Sequence, residues 1–396
     1  MVIIIIISSS VLFNQYEKQS NINILSGKVD SESILNVFLI NSEESLILFE
    51  NSENDNLGLI KTNSKKEIVF EKKYNVENYS TERVMIREKN DGFIIFGETN
   101  YDKSKIISRK PWIMMIDQKG NLKWKKKLEL DYTSSPYAID LSNDSIVLAI
   151  QLTDGPNNTT VIKFDNKGNS IWEKNIGTAR INSISSINIT KDNTIVMGGY
   201  IESLETLKTT QSDFWIVQLD SLGNLEWEKV IGGKELSFYP EVTIINDQEY
   251  IVVGDILSTD TKKGSISVSK INSNGKVLWE KLIDSQNIAV YTSSPTSSMS
   301  VEKNSIIILY TMIINQEEKI SLLELDLDGK IINEKILTNE GNNSLKKLRI
   351  INGNYFLTGY NFKDTWDEEN AKEWIMKLDK NYNIKWKKEI LEYIFN

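Results

Sequence analysis

Along this chain of 396 residues one short pattern is written seven times: Asp or Asn, then Gly three places on, then Trp seven places on. Aligned on the last position, the copies fall at Phe70, Trp124, Trp172, Trp227, Trp279, Asn333 and Trp386, between 48 and 55 residues apart. The first position holds Asn63, Asp117, Asp165, Asp220, Asn272, Asp326 and Asp379; the Gly position holds Lys66, Gly120, Gly168, Gly223, Gly275, Gly329 and Tyr382. A period of about 53 residues constrains the fold more than length does, because stacked repeats share their packing where unrelated segments would form separate domains.

The pattern is that of a β-hairpin. Asp or Asn opening a turn can accept a hydrogen bond from the backbone two residues on, and Gly supplies the left-handed backbone that a type I turn followed by a bulge requires. Lys66 and Tyr382 lack that freedom, so the first and last turns are expected to differ, with Asn381 or Asn383 taking the left-handed position in the last. Asp326-Leu-Asp-Gly329 resembles the opening of a calcium loop. It lacks the downstream bidentate Glu, and six other copies make turns at that place, so no metal site is expected.

Each copy carries two further strands upstream. One is an apolar run: Leu46–Phe49, Phe93–Phe96, Ile146–Ile150, Ile195–Met197, Tyr250–Val253, Ile306–Tyr310 and Tyr355–Thr358. A shorter strand precedes it, as in Ile187-Asn-Ile-Thr-Lys-Asp-Asn193. Runs with so little alternation belong to strands buried on both faces. Four such strands, A to D in chain order, cannot bury themselves singly and must stack on neighbouring copies; radial closure removes the open ends of the stack. The expected fold is therefore all-β, a seven-bladed β-propeller with four antiparallel strands per blade, spanning residues 36–396. The D-strand Trp is expected to pack between blades, and Asn333 to leave a weaker seal at blade six.

The stretch Trp215-Ile-Val-Gln-Leu-Asp-Ser-Leu-Gly-Asn-Leu-Glu-Trp-Glu-Lys-Val-Ile-Gly-Gly233 resembles the seven-bladed β-propeller (SBBP-type) repeats of exported bacterial and archaeal surface proteins and lipoproteins. Thr160-Val-Ile-Lys-Phe-Asp-Asn-Lys-Gly-Asn-Ser-Ile-Trp172 and Trp374-Ile-Met-Lys-Leu-Asp379 match the same pattern. The resemblance covers about residues 36–391 and implies a propeller at the cell surface. It carries over no catalytic residue, because the shared positions make turns and blade contacts.

Charge and composition narrow the function. A formal net charge of −9 argues against nucleic-acid binding, which needs a basic surface. With no Cys and no His, disulfides, thiolate zinc sites, Cys nucleophiles, Ser-His-Asp triads and His-ligated metals are excluded. Residues 1–35 stand outside the repeat. Val2–Ile7 and Val11-Leu12-Phe13 make an apolar run too short to span a bilayer as a helix. It resembles the core of a secretory signal without a basic start or a small-residue cleavage site. Membrane association, if any, is expected only through this segment; an extracytoplasmic (periplasmic or cell-surface) location follows if it acts as a signal, and a cytoplasmic one if it does not. Residues 22–29 could add as a clasp strand.

The A–B and C–D turns are short and repetitive, so variation collects on the opposite face. There the B–C loops Asn100–Pro111, Glu202–Ser212 and Asn361–Lys372 are long, in the three blades whose C strand opens with Trp112, Trp215 or Trp374. Each of these Trp is either the pad on which its loop packs or part of an aromatic site beneath it. The D–A connections carry Tyr79, Tyr137, Tyr239 and Tyr291, with Glu241 beside them, and Trp366 lies in the acidic loop 364–369. Tyr is favoured in binding surfaces because it offers apolar area and a hydroxyl at low entropic cost. Tyr79, Tyr137, Tyr239, Glu241, Tyr291 and Trp366 are accordingly the candidate binding residues. The expected function is a non-enzymatic module that engages a protein or glycan partner on this face, without a cofactor. Two alternatives are a glycan hydrolase or lyase at the channel mouth, for which Glu241 is the only nominated carboxylate, and a quinone-cofactor dehydrogenase, for which no ligand constellation is present.

Overall fold

The computed structural model describes residues 32–40, 44–51, 56–65, 67–76, 84–89, 91–99, 109–130, 134–152, 159–177, 182–202, 212–232, 235–261, 263–289, 297–338, 342–362 and 372–389. Of the expected leader and clasp, residues 1–35, all but 32–35 lie outside them; those four open the first strand.

Strands β1 (Glu32–Leu39), β2 (Ser45–Asn51), β3 (Asn56–Thr62) and β4 (Ile68–Asn75) form one antiparallel sheet in chain order. The second holds β5 (Met85–Lys89), β6 (Gly92–Glu98), β7 (Pro111–Asp117) and β8 (Leu122–Lys127). The third holds β9 (Ser134–Leu141), β10 (Ser145–Leu152), β11 (Thr159–Asp165) and β12 (Ser170–Ile176). Then come β13 (Asn182–Ile189), β14 (Ile195–Glu202), β15 (Ser212–Leu219), β16 (Leu225–Ile231), β17 (Leu236–Asn246), β18 (Glu249–Leu257), β19 (Gly264–Asn272), β20 (Val277–Ile288), β21 (Ser297–Glu302), β22 (Ser305–Ile314), β23 (Glu317–Asp326) and β24 (Ile331–Ile336). These twelve pair as one sheet, yet β13–β16, β17–β20 and β21–β24 are joined only by the single residue pairs Ser212–Leu236 and Ile288–Met312. The last sheet holds β25 (Asn342–Ile351), β26 (Asn354–Phe362), β27 (Lys372–Leu378) and β28 (Ile384–Glu389).

The sequence sets this layering. The second and third strands of each set carry the β-branched and aromatic runs and are buried on both faces; β6 is buried along its whole length. The fourth strands, such as β8 and β28, alternate exposed and half-buried residues and form the outer edge. Apolar side chains interlock between consecutive sets. Phe38, Leu46 and Phe70 meet Phe93, Trp112 and Met114, and the last set returns to the first where Ile351, Phe356 and Ile375 pack against Leu39, Ile47 and Phe49. This is a β-propeller of four-stranded antiparallel blades. Among the described residues each terminal sheet holds four strands in chain order, and the last sheet packs against the first.

The recurring turn has the expected chemistry and more. Asp117 Oδ1 accepts the N–H of Lys119 and of Asn121, both at 2.8 Å, and the same pair of bonds forms at Asp165, Asp220, Asp326 and Asp379. Gly120, Gly168, Gly223, Gly275 and Gly329 all have positive φ, from 75° to 81°. They also lie under an aromatic ring of the preceding blade: a Cβ on Gly168 would stand 2.8 Å from the Trp124 ring. The indoles of Trp124, Trp172, Trp227 and Trp279 each donate to a carbonyl of the next blade's turn, at 2.7 to 3.1 Å. Gly is therefore required twice, for its φ and for the indole above it.

Two expectations are corrected here. In the last turn Tyr382 itself takes the left-handed position, at φ 59°, and not Asn381 or Asn383. The seal at Asn333 is not left weak either, because the Tyr382 side chain is buried in the apolar cluster that joins the last two blades, 5.0 Å from the Tyr355 ring.

Candidate functional site

The first strand of each blade is an edge strand facing the central channel, so its outward N–H and C=O groups need partners other than a neighbouring strand. Short polar side chains supply them, each reaching forward to the next blade. Asp140 accepts the N–H of Ile189 at 2.7 Å. Ser186 donates to Pro240 O and accepts from Val242 N–H, both at 3.0 Å, while Asn188 donates to Val242 O at 2.6 Å. Glu241 accepts from Met299 N–H at 2.9 Å, Ser298 from Leu348 N–H at 3.2 Å, and Arg349 donates to Leu39 O at 2.8 Å. A belt of hydrogen bonds thus runs round the inner wall from β9 to β1.

Charged groups concentrate on this wall. Lys347 Nζ reaches from β25 to Glu241 Oε1 on β17 at 2.7 Å. Arg87, Asp140 and Arg349 occupy matching register positions, each across three strand pairings from the outer anchor at Trp124, Trp172 or Trp386. Burial pushes the Asp140 carboxyl up, against the N–H groups it accepts and the nearby Arg87. Burial pulls Arg87 down, against Asp140 and Glu241, and lowers Arg349 to about 10, with repulsion from Arg87 adding to it.

Recurrent β-bulges shape the upper part of the wall. The register slips at Leu35 in β1, Tyr137 in β9, Ser185 in β13, Tyr239 and Pro240 in β17, and Lys346 in β25. A bulge re-aims the extra residue and bends the strand. Tyr137 and Tyr239, placed by sequence in the D–A connections, therefore lie within the inner strands, and Tyr239 has a φ of 48°. Tyr239 belongs to an aromatic group with Phe238 and Tyr200, with ring centroids 6.1 to 6.4 Å apart. All three are half-buried and stand at the loop ends of β14 and β17. Glu241, nominated from sequence as the lone carboxylate at the channel mouth, is held by Lys347 and the Met299 N–H. Tyr79, Tyr291 and Trp366 lie outside the described residues, as do most of the three long loops.

Trp112, Trp215 and Trp374 are at most 2% exposed. Trp112 donates to Glu98 O at 3.1 Å, Trp215 donates to Glu228 Oε2 at 2.9 Å, and Lys387 sits 4.7 Å over the Trp374 ring. They fill the blade interior and offer no open face to a ligand. The sequence reading missed Arg87, Asp140, Lys347 and Arg349; Asp140 is the lone charge of β9, whereas the other three stand among further charges in β5 and β25, where nothing local singles them out. It also missed the fully buried Glu98, bridged to Arg109 at 2.9 Å, and Asp255, which accepts from Ser297 Oγ at 2.6 Å. Among the described residues no three acidic side chains converge as a metal ion would require.

No family model matches the chain, and no curated protein matches it. Solved structures do resemble it. An ulvan lyase from a new polysaccharide lyase family superposes with a TM-score of 0.60 at 10% identity, over 90% of this chain and 93% of that one. A puromycin-hydrolysing peptidase of Mycobacterium tuberculosis gives 0.57 at 8% identity, over 91% of this chain and 52% of that one. The β-propeller domain of the Trilobed protease from Pyrococcus furiosus, described as having an open velcro topology, gives 0.51 at 11% identity, over 91% and 95%. At such identities the likeness is one of fold, and it agrees with a propeller.

Proposed function

We propose that this chain is a seven-bladed, non-enzymatic binding propeller of the exported SBBP-type repeat class, taking a glycan or protein partner on its B–C and D–A loop face. The seven turn copies and the three strand sets within the long sheet support the blade number, and residues 36–396 would form the ring. The observation that carries the function is the engagement of Glu241. One carboxylate oxygen accepts from a backbone N–H and the other from Lys347, so it serves the wall as a tie and is poorly placed to give or take a substrate's proton. Tyr200, Phe238 and Tyr239 stand at the same end of the channel and offer the mixed apolar and hydroxyl surface that ligand contacts favour. An extracytoplasmic location completes this reading.

The test is a glycan array together with a pull-down against surface extracts, run on the full chain and on Tyr239→Ala. Binding that Tyr239→Ala reduces about tenfold, with folding intact, supports the proposal. Equal signals from both proteins in every assay refute it.

A further inference from the structure

Among the described residues Arg87 stands at the level of this belt without a hydrogen bond to the next blade. At its register level Asp140, Asn188 and Arg349 each reach the next inner strand, whereas Arg87 Nη1 turns back to the carbonyl of its own neighbour Ile86 at 3.0 Å. A guanidinium carries five N–H donors, and that bond uses one. Protein surrounds the Arg87 side chain, yet it keeps some solvent access, as a group on a channel wall does. Arg349 stands at the same level two blades away. It donates to Leu39 O, and its guanidinium lies 4.0 Å over the Phe38 ring. Among the described residues, neither arginine has a carboxylate within ion-pair distance. These two recessed guanidiniums stand at one level of the wall in the blades on either side of β1, each with donors to spare, and an oxyanion between them would gain charge-assisted bonds from both.

We propose that the central channel holds a carboxylate- or sulfate-type oxyanion between Arg87 and Arg349. The proposal rests on the binding reading above and deepens it. The anion enters past Lys347 and Glu241, which lie two residues nearer the loop face on their strands. Its source is either a free ion or the acidic group of a sugar, since both present the same oxygens to the guanidiniums.

Calorimetric titration of the full chain at low ionic strength separates these sources, with sodium sulfate, glucuronate and neutral glucose as probes. Sulfate and glucuronate are expected to bind and glucose not to. Glucuronate binding at least tenfold more tightly than sulfate identifies a sugar acid, and equal binding identifies a free ion. Arg87→Met and Arg349→Met are each expected to weaken binding at least tenfold. Asp140→Asn keeps an oxygen for the Ile189 N–H and removes a competing negative charge, so it should tighten binding severalfold. The proposal is overturned if the wild type binds neither anion, if a folded Arg87→Met binds as well as wild type, or if Asp140→Asn weakens binding, which would mark Arg87 as a partner of Asp140 alone. Should Arg87→Met not fold, Asp140→Asn decides by itself. Anion binding without any glycan or protein partner would contradict the binding reading only; partner binding that ignores Arg87 would contradict this inference only.

Discussion

Tyr382 and Asn333 exchange roles across one blade boundary. At the four boundaries where the fourth strand carries Trp124, Trp172, Trp227 or Trp279, the indole lies over the next turn's Gly. At this one the strand carries Asn333 and the turn carries Tyr382. The Tyr382 ring reaches back to Glu324, the cross-strand partner of Asn333. The backbone relationship is kept: Lys335 Nζ donates to Tyr382 O at 3.0 Å, as Lys281 Nζ donates to Gly329 O at 2.9 Å. The aromatic seal is preserved with its donor reversed. Tyr382→Gly should cost about 2 kcal/mol, the ~3 kcal/mol of a lost buried ring less ~1 kcal/mol for relief of a left-handed non-Gly residue. Adding Asn333→Trp should restore most of it, because the pair then matches the other boundaries. Denaturant unfolding of the two single variants and the double variant measures this coupling, and additive losses would show that the two residues are independent.

The turn aspartates make the ring acid-sensitive. Bonds from backbone N–H groups and from the Asn four places on hold the carboxyls of Asp117, Asp165 and Asp220 below their ordinary range. Asp379 is held lower still by the same backbone bonds and by Lys385. A carboxyl depressed in the folded state contributes stability that is present above its unfolded pKa of about 3.9 and lost as pH falls toward the folded value. Their contribution to the melting temperature should therefore be level above about pH 5 and lost below pH 4. Asp→Asn at all four turns should flatten that drop, since Asn can still accept the backbone bonds. A drop of equal size in the fourfold variant would place the acid-sensitive groups elsewhere.

The last blade meets the first through Ile351, Phe356 and Ile375 packed against Leu39, Ile47 and Phe49, with the Arg349 bond to Leu39 O beside them. Phe356→Ala should cost about 3–5 kcal/mol, the usual range for deleting a buried ring. Hydrogen exchange should accelerate in β1–β4 and β25–β28 before the middle blades if this boundary opens first. Uniform acceleration around the ring would show that the boundary is no weaker than the others.

Much of the fold was legible because it rests on local chemistry written many times. Asp220, Gly223 and Trp227 announce a turn and a blade contact from spacing alone, and the apolar run Phe93–Phe96 announces a strand buried on both faces. The inner wall was not legible. Lys347 and Glu241 are 106 residues apart, and only ring geometry brings them together. Nor could spacing show that bulges in β9 and β17 draw Tyr137 and Tyr239 out of the connections and into the strands. Tyr382 looked like a defect in the pattern because its compensation at Asn333 lies in the preceding copy.

Glu241→Gln separates a wall tie from an acid or base. Gln can still accept the Met299 N–H and loses only the charge opposite Lys347, which is half exposed, so the stability change should stay within about 1 kcal/mol.

The most direct test of the account follows one glycan that the array shows to bind. Wild type and Glu241→Gln are incubated with it, and both retained ligand and released fragments are measured. Binding without new chain ends or unsaturated products, equal in the two proteins to within about threefold, is the result expected of a binding propeller. Cleavage by the wild type that disappears in Glu241→Gln would contradict it and make the channel mouth an active site.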